Sequence, residues 1–404
     1  MIRVAIVFNA TDAGWQGGVN YLSNLCHAVL ALPDRKIEPV IFVAPDAPAS
    51  LLAGFVGVTV IRTPFVARRH PLRLLGKAVE RVTGRNLVIE AYLRAKGVRV
   101  ISHSPPLGAH SSIPSITWVP DFQHLHLPAF FSPEEIQRRE VGYRQSMRQS
   151  QRVILSSRDA QKDLARFDPA SLDKSRVLNF VSGFAGAQEA ADTGEICARY
   201  GIDRPFFYLP NQFWKHKNHR VVVDALALLR AQGTPLLVIS TGLMEDYRAP
   251  GFAKEITDHA EARGVAQDFR PLGLVPFSDV TALYRHALAV VNPSLFEGWS
   301  SSVEEAKSLG KILVLSDIPV HREQAPERGL FFSPDNPDAL AQRMLAAARD
   351  ASPESDALFR AKAERALPTR IAAFAHAYQQ VVLEVAASPA SGNLESEAKG
   401  HPSA

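Results

Sequence analysis

The sequence predicts an α/β protein of two doubly wound, Rossmann-like domains that face a central cleft. Three observations support this fold class. The chain has 404 residues, more than one ordinary hydrophobic core holds. Apolar runs of strand length alternate with amphipathic helical segments, which is the pattern of parallel sheets with right-handed crossovers. The alternation stops in a stretch of small and polar residues and then begins again, so we expect one sheet in each half.

The first half of the chain opens with the buried strand IRVAIVF and the glycine-rich turn AGWQGG. The helix that follows places Val19, Leu22, Leu25 and Cys26 on one face. The next predicted elements are the strands PVIFVA, VTVIRT, VRVISHS and PSITWVPD, the helix PEEIQRREVGYRQSMRQS, the strand RVILSS and the helix RDAQKDLARF. We assign residues 1–182 to this first domain.

The second half repeats the pattern after a predicted linker at residues 183–203. Its predicted elements are the strand PFFYLP, the helix NHRVVVDALALLRAQ, the strand PLLVIST, the helix FAKEITDHAEARG, the strand FRPLGLV, the helix DVTALYRHA, the strand LAVVNPS, the helix SSVEEAKSLG, the strand KILVLS and the helix PDALAQRMLAAARD. We assign residues 204–365 to this domain. Residues 366–388 are predicted as a helix that packs back on the first domain, and residues 389–404 as a disordered tail because they contain few apolar side chains.

Composition and charge restrict the class of protein. The formal net charge of +4 is mild, so we expect no nucleic-acid partner. No apolar run approaches transmembrane length, and the N-terminus lacks the features of a secretory signal. Cys26 and Cys197 have no metal-ligand spacing and fit thiols in a reducing compartment. The sequence therefore predicts a cytoplasmic protein.

Positive charge is concentrated in residues 62–99. Ten arginines and lysines stand there against Glu80 and Glu90, and leucines and valines lie between them. This pattern fits a peripheral contact with the anionic inner face of a membrane. It fits a solvated, charged helical face equally well, and the sequence leaves both open.

Two carboxylates flank a turn in the stretch FEGWSSSVEEAKSLG. Glu297 follows an apolar strand, and Glu305 lies inside the next predicted helix. The helix N-terminus offers free amides for a phosphate, and Gly298 lets the backbone approach a ligand closely. Glu297 could then accept hydrogen bonds from sugar hydroxyls, while Glu305 reaches a ribose. Alternatively, Glu305 and Ser302, or the equivalent pair one residue earlier, form a capping box that only satisfies amides at the helix start.

The spacing Glu297-x7-Glu305, followed by Ala306 and Gly310, resembles the motif of retaining glycosyltransferases with the GT-B fold, family 4 (glycosyl transferases group 1). The resemblance covers nearly the whole chain through the segments GGVNYLSNL, PLGLVPFSDVTALYRHALAVVNPSLFEGW, SDIPVHREQA and GLFFSPDNPDALAQRML. It implies that Glu297 contacts the donor sugar and that Glu305 contacts the nucleoside ribose. The residues between them that are predicted to line the donor are Gly298, Trp299, Ser300 and Ser301.

A cationic loop, YLPNQFWKHKNH, follows the first strand of the second half. Such a loop suits a diphosphate, whose charge must be stabilised as the glycosidic bond breaks. The family pattern places an arginine six residues before a lysine. Lys217 matches the lysine, but Asn211 occupies the arginine position, and Lys215 and His216 are the candidates to replace that cation. A solvated basic loop is the alternative for Lys217 and Lys215.

Candidate residues of the first domain follow its strands. The family has a His-Asp pair where this chain has Pro120 and Asp121, so Asp121 is predicted as an orienting carboxylate and His124 as the replacement for the histidine. His126 is close in sequence, and His103 also follows a strand. A packed, hydrogen-bonded side chain is the alternative for each histidine. The resemblance also implies that the Gly17-Gly18 turn faces the donor phosphates.

The predicted function is transfer of a sugar, with retention of configuration, from a nucleotide-diphosphate donor to a glycan or lipid-linked acceptor. The resemblance implies that the first domain binds the acceptor, and suggests synthesis of a cell-surface polysaccharide or lipopolysaccharide. We expect no cofactor beyond the donor substrate and no metal. The alternatives are a nucleotide-sugar epimerase of the same architecture and a non-catalytic carbohydrate-binding protein. GWQGGVN does not match Gly-x-Gly-x-x-Gly, which disfavours an NAD oxidoreductase.

Overall fold

A computed structural model describes residues 1–8, 16–67, 70–183 and 193–388. The chain forms two compact units. The first contains Met1–Phe122, Pro133–Phe180 and the chain from Thr369 onward, and the second contains Gln123–Ser132 and Val181–Pro368. The predicted tail at 389–404, residues 184–192 of the predicted linker, and Arg68 and Arg69 of the basic region lie outside the described residues.

The first unit is built on a parallel sheet of seven strands in the order β3-β2-β1-β4-β5-β6-β7. The elements up to residue 180 are β1 (Ile2–Phe8), α1 (Gln16–Leu30), β2 (Ile37–Val43), α2 (Ala49–Leu52), β3 (Thr59–Arg62), α3 (Pro71–Thr83), α4 (Leu87–Ala95), β4 (Val98–Ser102), β5 (Ser115–Val119), α5 (Gln123–His126), α6 (Pro133–Gln149), β6 (Arg152–Leu155), α7 (Arg158–Phe167) and β7 (Ser175–Val177). All the predicted strands of this half are present. The edge strand β7 was not predicted, because its three residues include only one apolar side chain.

The second unit has a parallel sheet of six strands in the order β10-β9-β8-β11-β12-β13. The elements from residue 181 are α8 (Thr193–Tyr200), β8 (Phe206–Leu209), α9 (His219–Ala231), β9 (Leu237–Ser240), α10 (Phe252–Ala262), β10 (Phe269–Pro271), α11 (Phe277–His286), β11 (Val290–Asn292), α12 (Ser301–Ser308), β12 (Leu313–Ser316), α13 (Pro319–Gln324), β13 (Gly329–Phe332), α14 (Pro337–Asp350) and α15 (Pro353–Ala387). Helix α8 lies where the sequence predicted a linker. The two parallel α/β units are the Rossmann-like halves that the alternation predicted.

The central strands of the second unit are buried along their whole length. Every residue of β8, β9, β11 and β12 is buried. Helices cover both faces of such a sheet, so its strands carry short continuous apolar runs instead of alternating polar and apolar residues. These runs made the strands easy to predict from the sequence. Because the strands are buried and mostly apolar, the polar side chains that can contact a ligand lie in the loops that follow them.

The last helix, α15, is longer than the sequence predicted. It begins at Pro353 and continues through Pro368, which removes one backbone donor from the helix interior. The part beyond Pro368 belongs to the first unit. There the side chain of Gln379 accepts a hydrogen bond of 2.7 Å from the Lys36 amide. Glu384 pairs with two arginines of β6 and β7, each at 3.1 Å.

None of the helices in the described part of the chain has both the length and the hydrophobicity needed to cross a bilayer.

Candidate functional site

The loops after β8, β9, β11 and β12 emerge at the same edge of the second sheet. These four strands are neighbours and parallel, so their carboxyl ends meet there. In open α/β sheets this edge is where ligands bind. The loop after β8 carries Lys217, and the loop after β11 carries Glu297, the two residues predicted to act on a diphosphate and a sugar.

Lys217 and Glu297 form a buried ion pair. The Nζ atom of Lys217 lies 2.6 Å from Oε1 of Glu297, and their side chains are only 15% and 8% exposed. Ser294 donates a second hydrogen bond of 2.7 Å to the same carboxylate oxygen. Burial opposes ionisation of Glu297, but the charges of Lys217 and His321 and these hydrogen bonds outweigh it and lower the pKa of Glu297. The carboxylate is therefore charged and fixed in position.

The backbone around Lys217 is tied to the loop after β11. Lys217 ends a short 3-10 turn in which its amide donates to the Trp214 carbonyl at 2.8 Å. Asn218 has a φ of 55°, a left-handed conformation that asparagine tolerates better than most residues. Its side chain donates to the Pro293 carbonyl at 3.2 Å, and the Leu295 amide donates to the His216 carbonyl at 2.8 Å. The two loops are thus held together by backbone as well as by charge.

Asn211 is a packed residue rather than an exposed ligand. It is 4% exposed, and its amide donates to Oδ1 of Asn292 at 3.4 Å. Its carbonyl accepts a hydrogen bond of 3.3 Å from His219. A Cβ on Gly242 would come within 2.7 Å of that carbonyl oxygen, so the loop after β9 needs glycine here. Asn211 therefore interlocks three loops.

The two candidates to replace the missing arginine differ. Lys215 is exposed in the same turn and can present its charge to a ligand. His216 is buried, and burial, followed by the nearby positive charges, lowers its pKa well below the usual value. His216 is neutral at physiological pH, so the prediction that it could supply a replacement cation is wrong.

The position of Glu305 contradicts the capping-box interpretation. Helix α12 starts at Ser301, its N-cap Ser300 makes no side-chain capping bond, and Glu305 is the fifth helical residue. Its carboxyl group accepts hydrogen bonds from Tyr284 at 2.8 Å and from Ser182 at 3.3 Å. Burial raises the pKa of Glu305 to about 7. The carboxyl group is available for a ligand contact instead of binding helix amides.

The serine-rich start of α12 is organised by Asn292 at the end of β11. Its amide nitrogen donates to the Ser300 hydroxyl at 2.8 Å and to the Ser302 hydroxyl at 3.0 Å. Gly298 and Trp299 are partly exposed in the loop before the helix, and Ser301 is partly exposed at its first position. Four of the five predicted donor-lining positions in this loop and helix thus remain accessible: Gly298, Trp299, Ser301 and Glu305.

His124 and His126 belong to the second unit, although the sequence assigned them to the first domain. Residues Gln123–Ser132 group with the unit that carries Glu297. The His126 ring is exposed and lies 4.9 Å from the ring of Phe296. His124 lies in the same segment, but its side chain is buried, with an exposed fraction of 1%. The structure therefore brings His126, and not the predicted His124, to the surface beside the Glu297 loop.

Asp121 lies in the first unit, two residues before that segment begins. Burial, and then the negative charge of Asp121, raise the pKa of Tyr143 on α6. Asp121 also favours the charged form of Arg139 on the same helix. Asp121 is partly exposed. Tyr143 and Arg139 belong to the same unit as Asp121. The role of Asp121 as an orienting carboxylate stays a prediction from the sequence.

Gly17 and Gly18 are helical rather than part of a turn. Helix α1 begins at Gln16, so the predicted Gly-Gly turn is wrong in its local conformation. Gly17 is exposed, and a Cβ there would meet nothing within 4 Å. Gly18 is buried. The residues of the glycine-rich stretch that precede Gln16 lie outside the described part of the chain.

A polar cluster in the first unit was only partly foreseen. His103 has a φ of 55°, a strained value for this residue at the end of β4. Its Nε2 atom lies 2.7 Å from the Tyr21 hydroxyl, and its Nδ1 atom lies 2.8 Å from the Ser102 hydroxyl. Burial lowers the pKa of His103 to about 3. Tyr21 stacks on Trp118 with ring centroids 4.4 Å apart. Sequence reasoning named His103 but not these partners.

Two further residues of the second unit were missed. His321, on α13, is fully buried and donates from Nδ1 to the Ser316 carbonyl at 2.9 Å. Burial lowers the pKa of His321, although the charge of Glu297 opposes the shift. Arg248 is 9% exposed in the loop after β9. The sequence offers no signal for either, because neither has a recognisable spacing from a motif residue.

Comparisons with known proteins bear on the family of the second half of the chain and on the fold of the whole. Residues 196–365 match a family model described as glycosyl transferases group 1. The O-antigen chain mannosyltransferase B of Escherichia coli is 31% identical over 111 residues, which are 27% of this chain and 29% of that protein. The match therefore spans less than a third of the relative's own length.

Solved structures are similar over 95% of this chain and 100% of theirs. HepE of Anabaena, in complex with UDP and glucose, has a TM-score of 0.69 at 16% identity. WaaG, a glycosyltransferase involved in lipopolysaccharide biosynthesis, has a TM-score of 0.57 at 12% identity. The UDP-GlcNAc 2-epimerase of Neisseria meningitidis, bound to UDP-GlcNAc, has a TM-score of 0.54 at 12% identity. At these identities the likeness shows the fold, and it confirms the predicted GT-B class.

We predict that Lys217→Met destabilises the second unit by about 3–5 kcal/mol, because Glu297 is left as a buried charge without its cation. The double variant Lys217→Met/Glu297→Gln removes both charges and should recover most of this loss. Urea unfolding of the wild type, the single variant and the double variant measures the difference. A single Lys217→Met variant as stable as the wild type would contradict the ion pair.

We predict a pH-dependent stability difference between the wild type and Glu305→Gln. The folded state raises the pKa of Glu305 to about 7, so ionisation on raising the pH destabilises the wild type and leaves the Gln variant unaffected. Between about pH 5 and pH 8 the wild type should lose about 2 kcal/mol relative to Glu305→Gln, less than the full shift because the side chain is partly exposed. Denaturant unfolding at several pH values tests this, and parallel curves would refute it.

Proposed function

We propose that this chain is a retaining, family 4 glycosyltransferase that moves a hexose from a nucleotide-diphosphate donor to a glycan or lipid-linked acceptor. The observation that carries the proposal is the buried Lys217–Glu297 pair at the carboxyl edge of the second sheet, with Glu305 on the following helix. Both carboxylates and the lysine lie within the segment that matches glycosyl transferases group 1. The same segment contains the buried strands that hold them.

In this proposal each charged group has a separate task. Lys217 has three donors, of which one is used by Glu297, so its ammonium can also bind the leaving diphosphate. Glu297 is held ionised and accepts hydrogen bonds from the hydroxyls of the transferred sugar. Lys215, exposed in the same turn, is the second cation for the diphosphate. Asp121 and the segment with His124 and His126 shape the acceptor side.

Retention of configuration follows from a front-face reaction. The glycosidic bond breaks towards the diphosphate, and the acceptor hydroxyl attacks the same face while its proton passes to the leaving phosphate. No covalent sugar–enzyme bond is formed. Glu297, already paired with Lys217 and Ser294, acts by holding the sugar and does not attack it.

Glu305 contacts the ribose of the donor. Its carboxyl group lies between Tyr284 and Ser182, and its pKa near 7 lets it accept or donate hydrogen bonds at neutral pH. The HepE structure contains UDP and glucose, which supports a nucleoside diphosphate with a hexose as the ligand class. The Escherichia coli relative, named as an O-antigen chain mannosyltransferase, supports a cell-surface polysaccharide as the product.

We also propose that the enzyme is cytoplasmic and docks peripherally on an anionic membrane through α3. Gly76 is the only buried residue of this helix. Leu74, Leu75 and Val82 are 55%, 52% and 88% exposed, so the apolar side of the helix faces solvent instead of the core. An apolar surface of this kind favours insertion at the boundary between headgroups and acyl chains.

The charges on α3 complement a negatively charged surface. Lys77 and Arg81 are exposed and form no ion pair with any residue of the described ranges, whereas Arg85 pairs with Glu90 at 2.7 Å. The one carboxylate on α3, Glu80, accepts a hydrogen bond of 3.3 Å from Asn86 and is only partly exposed. Exposed leucines and valines with cations among them fit an anionic lipid surface better than a purely solvated helix.

Calorimetric titration with UDP, GDP and ADP tests the donor proposal. We predict that one nucleotide binds selectively and that Glu305→Gln weakens it about tenfold, because a ribose contact is lost. A matched control is Glu304→Gln, since Glu304 is the neighbouring carboxylate of the same helix and accepts hydrogen bonds from Lys307 and Gln324 instead of Tyr284 and Ser182. If no nucleotide binds, the transferase proposal fails. Conversion of the sugar nucleotide without any acceptor would instead identify an epimerase.

Sedimentation with phosphatidylglycerol vesicles tests the membrane proposal. We predict binding by the wild type, and a loss of roughly fivefold in partitioning for each of Lys77→Gln and Arg81→Gln. Leu75→Ser/Val82→Ser should abolish binding, whereas Val141→Ser, at an exposed apolar position on α6, should leave it unchanged. No binding to phosphatidylglycerol vesicles would identify α3 as a solvated helix, and equal binding to phosphatidylcholine vesicles would refute recognition of anionic lipid.

A further inference from the structure

Arg248 is a buried cation that the proposed reaction does not use. Its guanidinium lies over three aromatic rings, 5.2 Å from the centroid of Phe131, 5.2 Å from that of Trp214 and 5.5 Å from that of Tyr247. Oδ1 of Asp246 accepts hydrogen bonds from the Arg248 amide at 3.0 Å and from its Nε atom at 3.2 Å. Asp246 therefore neutralises the charge, and the rings fix the plane of the group.

The contacts of Arg248 reach both ends of one segment. Its Nη1 atom donates to Oε1 of Gln123 at 3.2 Å, and its guanidinium packs on Phe131. These residues stand near the first and last positions of Gln123–Ser132, the segment that belongs to the second unit while the chain before and after it belongs to the first. A single side chain thus fastens both ends of the segment to the second unit.

The fastened segment carries His126 between these ends. Short-range backbone hydrogen bonds shape it: the Leu127 amide donates to the Gln123 carbonyl at 2.8 Å, and the Phe131 amide donates to the Pro128 carbonyl at 3.1 Å. With this shape the His126 ring lies 4.9 Å from Phe296, the residue directly before Glu297. The segment therefore contributes an exposed imidazole to the side of the Glu297 loop.

Arg248 also supports the loop that carries the lysine. Trp214, one of its three rings, accepts the Lys217 amide hydrogen bond at 2.8 Å through its carbonyl. Both partners of the Lys217–Glu297 pair thus have a neighbour that depends on Arg248: Trp214 on one side, and His126 with Phe296 on the other. Arg248 touches only the ring of Trp214, and the backbone hydrogen bonds of the Lys217 turn do not involve it, so a displaced guanidinium chiefly loosens the His126 side.

We propose that Arg248 is a positioning residue that fastens Gln123–Ser132 to the second unit and so places His126 beside the transferred sugar of the donor. The fastening stands on the contacts of Arg248 alone. The identity of the ligand, a hexose hydroxyl within reach of His126, rests on the proposed function. A planar guanidinium is required, because a lysine ammonium keeps the charge but lacks the flat face that lies over the rings and the separate Nε and Nη1 donors that bond to Asp246 and Gln123.

Hydrogen exchange of Arg248→Lys tests the fastening. Lysine still neutralises the buried Asp246, so the fold is retained. We expect the amides of Leu127, Phe130 and Phe131 to exchange about tenfold faster or more, while those of β8 and β11 are unchanged. The matched control is Arg270→Lys, which changes an arginine of the same unit bonded to Asp203 and the Gly201 carbonyl. Unchanged exchange in Arg248→Lys would overturn the proposal.

A second variant and a binding measurement separate this proposal from the donor assignment. Phe131→Leu removes one ring while Arg248 keeps its ion pair, and it should speed exchange of the same three amides. UDP and UDP-glucose are then titrated into the wild type and Arg248→Lys. We expect UDP affinity to stay within twofold and UDP-glucose affinity to fall about tenfold, and equal losses for both would overturn the placement of His126 at the sugar. If the wild type binds neither UDP nor UDP-glucose while exchange responds as expected, the fastening holds and a UDP-hexose donor is excluded.

Discussion

The site depends on a pair of opposite charges that are both removed from water. Lys217 and Glu297 are stable at 15% and 8% exposure only because each satisfies the other at 2.6 Å. That distance requires the loops after β8 and β11 to stay close together. The backbone amide of Leu295 and the side-chain amide of Asn218 donate the hydrogen bonds that hold them. Asn292, the last residue of β11, donates a hydrogen bond to Ser300 and so links this edge of the sheet to the start of α12. The packing and the loop conformations at this edge therefore keep Lys217 and Glu297 close enough to form their ion pair.

The sequence located the fold, and it named Lys217 and Glu297, which the structure brings together, for reasons that are physical. Fully buried parallel strands leave continuous apolar runs, so β8, β9, β11 and β12 were visible, while the short edge strands β7 and β13 were not. Glu297 and Lys217 were found as separate motifs. Their ion pair was not predicted, because it joins residues 80 positions apart. The capping-box alternative for Glu305 was wrong because the N-cap is Ser300 and not Ser302. This shift of two residues removes Glu305 from the helix position that a capping box requires.

Other features could not be foreseen because they depend on which unit a segment joins. Strand order assigned Gln123–Ser132 to the first half of the chain, yet its contacts with Arg248 place it in the second unit. Arg248 lies two residues after Asp246 in an irregular loop, where no periodicity distinguishes a buried arginine from a solvated one. The neutral state of His216 likewise follows from burial and neighbouring charges, which a histidine in a lysine-rich stretch of sequence does not reveal.

The division of α15 between the units has a consequence for the order of events during synthesis. The second unit ends at Pro368, so its described residues have all been made while the final helical turns are still missing. The first unit, which contains the N-terminus, is still incomplete at that stage. Lys36, Arg152 and Arg176 lack their partners, because Gln379 and Glu384 lie in the last part of the chain. The domain translated first is therefore the last to be completed. A chain cut after Pro368 would keep the residues of the second unit and lack these closing contacts of the first.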